Sequence, residues 1–250
     1  MIVDDHLLLL WIGAVFLLAG TVKGTIGLGL PSISLGLLAA TMDLRVAMIL
    51  LLAPNVVTNL WQACTGGHLA LLLRRLWPFL LCAAGAIWLG TAALNTVDTK
   101  TLAALLGLLL ALYAVIGLTR PPLSLPARHE IWAGPLLGLA NGVLTGLTGS
   151  FVVPGVPYLQ ALGLSRDQLV QAMGLLFMAS TLALGASLGG RSLLTGELLW
   201  LSLAAVLPAL AGMGLGRRLR HRLSETGFKR AFYGALLLLG GYIVARWIVS

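Results

Sequence analysis

The chain reads KGTIGLGLP over residues 23–31 and GVLTGLTGSFVVP over residues 142–154. Both stretches are apolar, but neither favours a continuous helix, because glycine weakens a helix and proline removes one of its hydrogen bonds. Each is followed by a short apolar run, which ends at Ala40 in the first case and at Leu164 in the second. The two stretches therefore predict broken or re-entrant segments, too short to be ordinary membrane spans.

The two broken segments belong to an internal repeat. Pro31 and Pro154 are 123 residues apart, and the same offset aligns residues 42–45 with residues 165–168. A polar, proline-rich stretch separates the two copies. We therefore divide the chain into a first transmembrane repeat at 1–119, a linker at 120–130 and a second transmembrane repeat at 131–250.

Composition excludes a soluble fold. Of the 250 residues, 59% are hydrophobic and 10% are charged, and the mean hydropathy is +0.99, whereas soluble domains carry about 25% charged residues. The apolar residues form blocks of about 15 to 20 residues, long enough to cross a hydrocarbon core of about 30 Å. These blocks cover residues 7–22, 46–63, 76–94, 102–118, 131–148, 169–188, 198–215 and 231–245.

The blocks predict an all-α polytopic membrane protein. We expect about eight transmembrane helices in two homologous halves, each with a broken or re-entrant segment. Four spans per half is an even number, which leaves both halves in the same orientation, so the expected symmetry axis lies along the membrane normal. The basic residues favour both termini outside, and the first apolar run lacks a signal-peptide cleavage site, so we expect it to remain as a span.

The net charge of +8 fits a membrane protein better than a nucleic-acid-binding protein. Most of the sixteen Lys and Arg residues fall in short connections, where positive charge sets orientation and meets anionic lipid headgroups. Cys64 and Cys82 lie in or beside apolar blocks and form no disulfide or zinc motif, and the four histidines share no metal-ligand spacing. We expect the lipid bilayer as a partner, and no nucleic acid, metal or cofactor.

The positions of the reactive side chains disfavour an enzyme. An intramembrane protease needs a nucleophile and a base at membrane depth, and no histidine lies inside a predicted span. Four carboxylates, at Asp43, Asp98, Asp167 and Glu197, fall at the ends of predicted spans, so the sequence shows no proton relay. We predict that the chain is not an enzyme.

The broken segments are where we expect an anion to bind. Irregular backbone at membrane depth must be buried in protein or line a cavity, so the two breaks are expected to face each other or a cavity. Pro31 and Pro154 are placed to begin short half-helices, whose free amides and partial positive charge attract anions. Lys23 adds a full charge beside the first break, although it could instead extend to a membrane interface.

Polar side chains complete the predicted site. Asn55, Asn59 and Gln62 are spaced i, i+4 and i+7, so they share one helix face, which either lines a cavity or bonds a neighbouring helix. Hydroxyl and amide groups of both breaks can replace the water shell of an oxyanion, although a Ser or Thr in a span more often bonds its own helix. The candidate substrate-binding residues are Lys23, Gly24, Thr25, Gly27, Gly29, Pro31, Ser32, Asn55, Asn59, Gln62, Asn141, Thr145, Thr148, Gly149, Ser150 and Pro154.

The segment from Gly24 to Pro31, and its partner from Gly142 to Pro154, resemble the repeated signature of the TauE/SafE family of sulfite and organosulfonate exporters. Family patterns carry a longer glycine run before the proline than the GLGL of residues 27–30. The resemblance implies seven or eight spans and export of sulfite or related sulfur anions across the bacterial inner membrane. It supports an anion permease more strongly than it supports sulfite itself.

The functional hypothesis is a secondary transporter that exports a small sulfur-containing anion, such as sulfite or a sulfonate. Alternating access would arise from rocking of one half against the other. Two alternatives stay open at this point: a transporter of another small metabolite or ion on the same scaffold, and a non-transporting membrane scaffold or assembly protein. A homo-oligomer is compatible with the sequence.

Overall fold

The computed structural model describes residues 5–119, 124–220 and 224–249, and the regular elements in these ranges are all helical. Within these ranges, a 3₁₀ turn covers Ala93–Asn95. The α-helices of the described ranges are α1 (His6–Ile26), α2 (Leu30–Ala39), α3 (Leu44–Leu50), α4 (Leu52–Cys64), α5 (Leu69–Ala92), α6 (Thr99–Thr119), α7 (Ala127–Thr148), α8 (Gly155–Ala161), α9 (Arg166–Gly190), α10 (Gly196–Ala204), α11 (Val206–Leu219) and α12 (Glu225–Val249).

The predicted membrane fold is confirmed. Within the described ranges, seven helical stretches are long and apolar enough to cross a membrane, with α10 and α11 counted as the one stretch Gly196–Leu219. The pair α3 and α4, bent by 42° around Leu51, makes an eighth if it is counted as one span. The protein is therefore a multi-pass membrane protein.

Some predicted boundaries need correction. Helix α1 continues to Ile26 and α7 to Thr148, so the breaks are confined to residues 27–29 and 149–154. Helix α7 starts at Ala127, so the last part of the predicted linker is helical, because Pro126 is an extended residue that can precede a first turn. Residues 120–123 of that linker lie outside the described ranges.

The chain forms two compact units. Unit 1 comprises Met1–Pro54, Thr99–Leu118 and Leu194–Ser250, and unit 2 comprises Asn55–Asp98 and Thr119–Leu193. Each unit takes helices from both sides of the predicted linker. The compact units are thus distinct from the two sequence repeats.

In unit 1, glycines bring α1 and α11 into backbone contact. A Cβ atom on Gly20 would collide with the carbonyl of Ala209, and one on Gly24 with the carbonyl of Met213. Gly216 of α11 packs equally closely on α1. Small residues four apart lie on one helix face and let two helices approach closely in a membrane.

In unit 2, glycines join α5 and α7 in the same way. The glycines of α7 pack against carbonyl oxygens of α5, and the pairs are Gly138 with Phe79, Gly142 with Ala83 and Gly146 with Ile87. From one contact to the next, the residue on α7 and the residue on α5 both move forward by four positions, which is about one helical turn. The two helices therefore run parallel and keep a constant register along this contact.

The broken segment of unit 2 runs back along α7 after the break. At the middle of α7, the amide of Gly155 donates to Oδ1 of Asn141 at 2.9 Å. At the start of α7, the side chain of Arg75, from α5, donates to the carboxylate of Glu130. Arg75 also donates to the carbonyl oxygen of Leu162, just past the end of α8. The segment therefore returns over most of the length of α7, partly as extended chain and partly as α8.

The broken segment of unit 1 also returns beside its long helix. Helix α2 follows the break, and the indole of Trp11, in the second turn of α1, donates to Oγ1 of Thr41 at 3.1 Å. Each repeat thus contains four helical spans and one returning segment, which makes five passes. An odd number of passes inverts the second copy with respect to the first.

Helix directions within each unit agree with an inverted repeat. Helices α6 and α12 hold the same place in the two repeats, and in unit 1 they run antiparallel, since Gly107 packs on Gly240 while Gly117 packs on Tyr233. In unit 2 the end of α4 meets the first turns of α9, its counterpart. The expected symmetry axis along the membrane normal is therefore wrong, because the broken segments count as passes.

Candidate functional site

In unit 2, Gly149 ends α7 by adopting a left-handed conformation with φ 74°, and its amide donates to the carbonyl of Thr145 at 2.7 Å. This conformation favours glycine, which has no Cβ to clash. The chain then continues as an irregular stretch to Pro154, the residue before α8. The break that the sequence predicts here is confirmed, and Pro154 precedes the helix instead of lying in its first turn.

Two threonines hold this break in place. Oγ1 of Thr145 donates to the carbonyl oxygen of Ser150 at 2.9 Å. Oγ1 of Thr148 donates to the carbonyl of Leu144 at 2.7 Å and accepts from the amide of Ser150 at 3.2 Å. Both hydroxyls are therefore used in shaping the irregular backbone, which would be costly to bury with its polar groups unsatisfied.

The expectation of free amides at the start of α8 is wrong. The amide of Gly155 is bonded to Asn141, that of Val156 to the carbonyl of Val152, and that of Tyr158 to the carbonyl of Pro154. The intervening residue is Pro157, which has no amide hydrogen. Because α8 is only seven residues long, it also has little dipole to offer.

Side chains supply the buried donors instead. Asn141 and Ser150 are 0% and 2% exposed. Nδ2 of Asn141 and Oγ of Ser150 have no hydrogen-bond partner among the described residues. A buried donor without a partner costs about 1–3 kcal/mol, so the two groups favour a ligand with acceptor oxygens.

In unit 1, two glycines define the other break. Gly27 closes α1 with φ 81°, and its amide donates to the carbonyl of Lys23 at 2.8 Å. Gly29 precedes α2 with φ 107°, where a Cβ would press on the side chains of Val22 and Phe232. Pro31 lies in the first turn of α2, which confirms that a short helix begins there.

Lys23, Gly24 and Thr25 lie in the last turn of α1, not in irregular chain. Lys23 is 4% exposed, so its side chain does not extend to the surface as the interfacial alternative requires. Gly24 packs on α11, and Oγ1 of Thr25 donates to the carbonyl of Thr21 at 2.8 Å. Ser32, on α2, is buried.

The polar face of α4 is buried as predicted. Asn55, Asn59 and Gln62 all lie inside the protein. Nε2 of Gln62 donates to the carbonyl of Val170 at 2.7 Å, and Nε2 of Gln171 donates to the carbonyl of Ala63, also at 2.7 Å. Gln62 therefore bonds a neighbouring helix, the second of the two roles that the sequence left open.

Asn55 differs from Gln62. It is 0% exposed, and neither Oδ1 nor Nδ2 has a hydrogen-bond partner in the part of the chain that the structure describes. An amide in this state needs both a donor and an acceptor from a ligand or water.

Sequence reasoning missed Ser180 on α9. This residue is 0% exposed, and its Oγ has no partner among the described residues. A serine in a helix ordinarily bonds a carbonyl one turn back, as Thr181 does with Phe177 at 2.6 Å. No sequence signal separates the two hydroxyls, which is why Ser180 did not stand out.

The described part of the chain offers no obvious set of ligands for a resident metal. In residues 5–119, 124–220 and 224–249, no group of three His, Cys, Asp or Glu side chains is placed to hold a metal ion. The polar atoms gathered in unit 2 are neutral amides and hydroxyls, which suit a small oxyanion by hydrogen bonding.

Comparisons with known proteins place the chain in a family. No curated protein and no solved structure matches it. The model of the TauE/SafE sulfite exporter family, by contrast, matches residues 12–243, nearly the whole chain. The protein therefore belongs to the TauE/SafE sulfite exporter family of membrane transporters.

Proposed function

We propose that the protein is a secondary transporter that moves a small sulfur-containing anion, such as sulfite or a sulfonate, out across the bacterial cytoplasmic membrane. Family membership supports transport of sulfur anions. The observation that carries the proposal is the pair of buried donors, Asn141 and Ser150, at the break of unit 2. Their unfilled hydrogen bonds would be made to the oxygen atoms of the substrate.

The local geometry supports a substrate role for this pair. Oδ1 of Asn141 accepts from Gly155, so the orientation of the amide is fixed and Nδ2 is the end left for a ligand. The backbone of Ser150 is held by Thr145 and Thr148, while its hydroxyl stays without a partner among the described residues. Such preorganised donors lose little freedom when they bind an anion.

Lys23 supports an anion in unit 1. A buried ammonium group is costly unless an opposite charge or several hydrogen bonds stabilise it. We propose that the transported anion contributes to that stabilisation. The glycines of the first break, Gly27 and Gly29, shape the backbone next to it.

A metal cation fits the same scaffold poorly. Cations favour carboxylate ligands at membrane depth. In the described spans the acidic side chains lie at helix ends, and Glu130 is already paired with Arg75 at 2.6 Å. No observation favours a non-transporting scaffold over a transporter.

The test is sulfite flux into liposomes that contain the purified protein, with and without a pH gradient. We expect saturable flux for the wild type and a half-saturation concentration raised about 3- to 10-fold in Ser150→Ala, because one hydrogen bond to the anion is lost. Thr181→Val is the matched control, since its hydroxyl bonds its own helix. Absence of saturable flux of sulfite and of sulfonates by folded protein would rule out the proposal.

A further inference from the structure

Four buried polar side chains of unit 2 share one property, which is an atom without a hydrogen-bond partner among the described residues. Two of them, Asn141 and Ser150, carry the proposed function. The other two are Asn55 on α4, which the sequence already placed in the predicted site, and Ser180 on α9, which it did not. All four can bind one ligand only if they lie at a similar height along the helix axes of unit 2.

The depth of a side chain can be stated as the residue of α5 that lies at the same height along the helix axis. Contacts between the helices give this residue for three of the four side chains. The register in which Gly142 packs on Ala83 puts Asn141 level with residue 82 of α5. Oγ1 of Thr91 and Oγ of Ser187 are 2.6 Å apart, which sets the register of α9 against α5 and places Ser180 level with residue 84. Through its bond to Thr145, Ser150 lies near residue 86.

Asn55 falls at the same depth. Gly174 of α9 packs on Gln62 and Ala63, and Gln171 bonds toward the end of α4, so α4 and α9 run in opposite directions. Gly174 is level with Gln62, so seven residues further along each antiparallel helix Asn55 is level with residue 181 of α9. The register of α9 against α5 then places Asn55 level with residue 85 of α5. At a rise of about 1.5 Å per residue, all four groups lie within about 6 Å along the helix axes.

The broken segment and α4 pack on two different sides of α9. Leu176 packs on the position of Gly155, and the rings of Phe177 and Phe151 have centroids 6.1 Å apart, so this face of α9 meets the broken segment. Ser180 follows one turn later on the same face. Asn55 shares the face of α4 that carries Gln62, which faces α9.

The chemistry of this four-residue cluster restricts the charge and the hydrogen-bonding groups that its ligand can have. Asn141 Nδ2 and the serine hydroxyls can donate to an oxyanion, whereas Oδ1 of Asn55 can only accept. The charged residues described in unit 2 lie at or near helix ends or in connections, so this level has no fixed cation of its own. The cost of desolvating an anion grows with the square of its charge, and neutral donors compensate a single charge far better than a double one.

We infer that the cluster of Asn55, Asn141, Ser150 and Ser180 binds a singly charged oxyanion that still carries a hydrogen-bond donor, such as hydrogen sulfite, in preference to a dianion. This inference rests on the proposed function and names the protonation state of its substrate. Asn55 accepts from the hydroxyl of the anion, and the remaining groups donate to its oxygens. A site built to bond a hydroxyl rejects an analogue without one.

The experiment measures competition against radiolabelled sulfite entering proteoliposomes at mildly acidic pH, where hydrogen sulfite predominates. The competitors are methanesulfonate, a singly charged anion without a hydroxyl, and sulfate, a dianion. In the wild type we expect methanesulfonate and sulfate each to compete at least about tenfold more weakly than unlabelled hydrogen sulfite.

Two variants separate the roles. Asn55→Leu keeps the side-chain size but removes the acceptor, so it should reduce the discrimination against methanesulfonate to less than about threefold. Ser180→Ala should weaken hydrogen sulfite and methanesulfonate by similar factors, because it removes a group that serves both. Thr181→Val, next to Ser180, should change neither value. Size-exclusion profiles and melting temperatures verify that each variant folds.

The outcomes distinguish this inference from the proposed function. Saturable sulfite flux with equal competition by sulfate would overturn the inference and leave the proposed function standing. Unchanged discrimination in Asn55→Leu or unchanged affinity in Ser180→Ala would do the same, since the polar atoms would then be satisfied by water. Lack of flux of any sulfur anion would reject the proposed function, and the inference with it.

Discussion

The amide of Gly155 donates to Oδ1 of Asn141 at 2.9 Å, which joins the first residue of α8 to the middle of α7. One end of the Asn141 amide is therefore fixed by the protein's backbone, and the other end points away from it. The same bond takes up an amide that would otherwise be free at the start of α8. The proposed binding of an anion at this break would therefore depend on a side chain, whereas the sequence predicted a helix terminus.

Asn141→Asp tests this arrangement, because the carboxyl group can still accept from Gly155. When ionised it repels an anion, and when protonated it regains a donor. Relative to wild type measured at the same pH, we expect the sulfite flux of the variant to fall at least about tenfold at pH 8 and to recover partly near pH 6. A ratio that stays constant over this range would show that Asn141 does not contact the anion.

We expect Lys23 to act in transport through its charge. Lys23→Met keeps the length of the side chain and removes the charge, so we expect a sulfite flux lowered at least about tenfold in a protein that remains folded. Lys23→Arg keeps the charge and should retain more of the flux than Lys23→Met. Equal flux in Lys23→Met and wild type would show that this residue does not stabilise the transported anion.

The glycine contacts between α5 and α7 predict large effects of small substitutions. Gly142→Ala places a methyl group against the carbonyl of Ala83, so we expect a loss of about 1–3 kcal/mol in the free energy of unfolding. Gly85→Ala is the matched control on α5, because a Cβ there meets nothing within 4 Å. The control should be neutral or stabilising by up to about 1 kcal/mol, as alanine favours helix. Unfolding in mixed detergent measures both.

Arg75 and Glu130 hold the end of the returning segment beside the first turn of α7. Their side chains are partly exposed, at 35% and 16%, so the pair should contribute modestly. A double-mutant cycle with Arg75→Ala and Glu130→Ala should give a coupling energy of about 0.5–1 kcal/mol that decreases as salt is added. Coupling that is insensitive to salt would contradict an electrostatic pair.

Five passes per repeat also predict the membrane topology. Ten passes leave both termini on one side. Counting passes along the chain puts nine described basic residues on the opposite side, at Arg74, Arg75, Arg128, Arg166, Arg217, Arg218, Arg220, Lys229 and Arg230. Four lie on the side of the termini, at Arg45, Lys100, Arg191 and Arg246. Positive charge favours the cytoplasm, so both termini should lie outside.

Cysteine labelling measures this topology, after Cys64 and Cys82 are replaced by serine. An impermeant maleimide added to intact cells should react with Thr96→Cys, which follows α5, and should reach Ser224→Cys, which precedes α12, only after permeabilisation. The reverse pattern would place the termini inside.

The membrane spans and the two breaks could be read from the sequence, because hydropathy and glycine or proline are local signals. The direction of the chain after Gly29 and Gly149 could not. A short apolar segment can leave a membrane on the side where it entered or return across it, and only contacts such as Trp11 with Thr41 decide between the two. The symmetry of the repeats was therefore predicted wrongly.

For the candidate site, too, the sequence predicts one part and not another. Polar residues near glycine breaks were predictable as a group, but their bonding partners were not. Gln62 bonds a neighbouring helix, whereas Asn55 on the same face has no partner in the described chain. Whether a given hydroxyl or amide finds a hydrogen-bond partner depends on distances of a few ångströms between helices that are far apart in sequence. Ser180 is an example, because its hydroxyl has no partner among the described residues.

The interleaving of the chain between the two units has a consequence for biosynthesis. Unit 2 ends at Leu193, so all of it has been synthesised before translation reaches the stretch Leu194–Ser250. Unit 1 begins with the stretch Met1–Pro54, but α1 must wait for α11 before its glycine face is covered. Helix α1 is thus made early but meets its partner late, and a chain that stops before α11 leaves the glycine face of α1 uncovered.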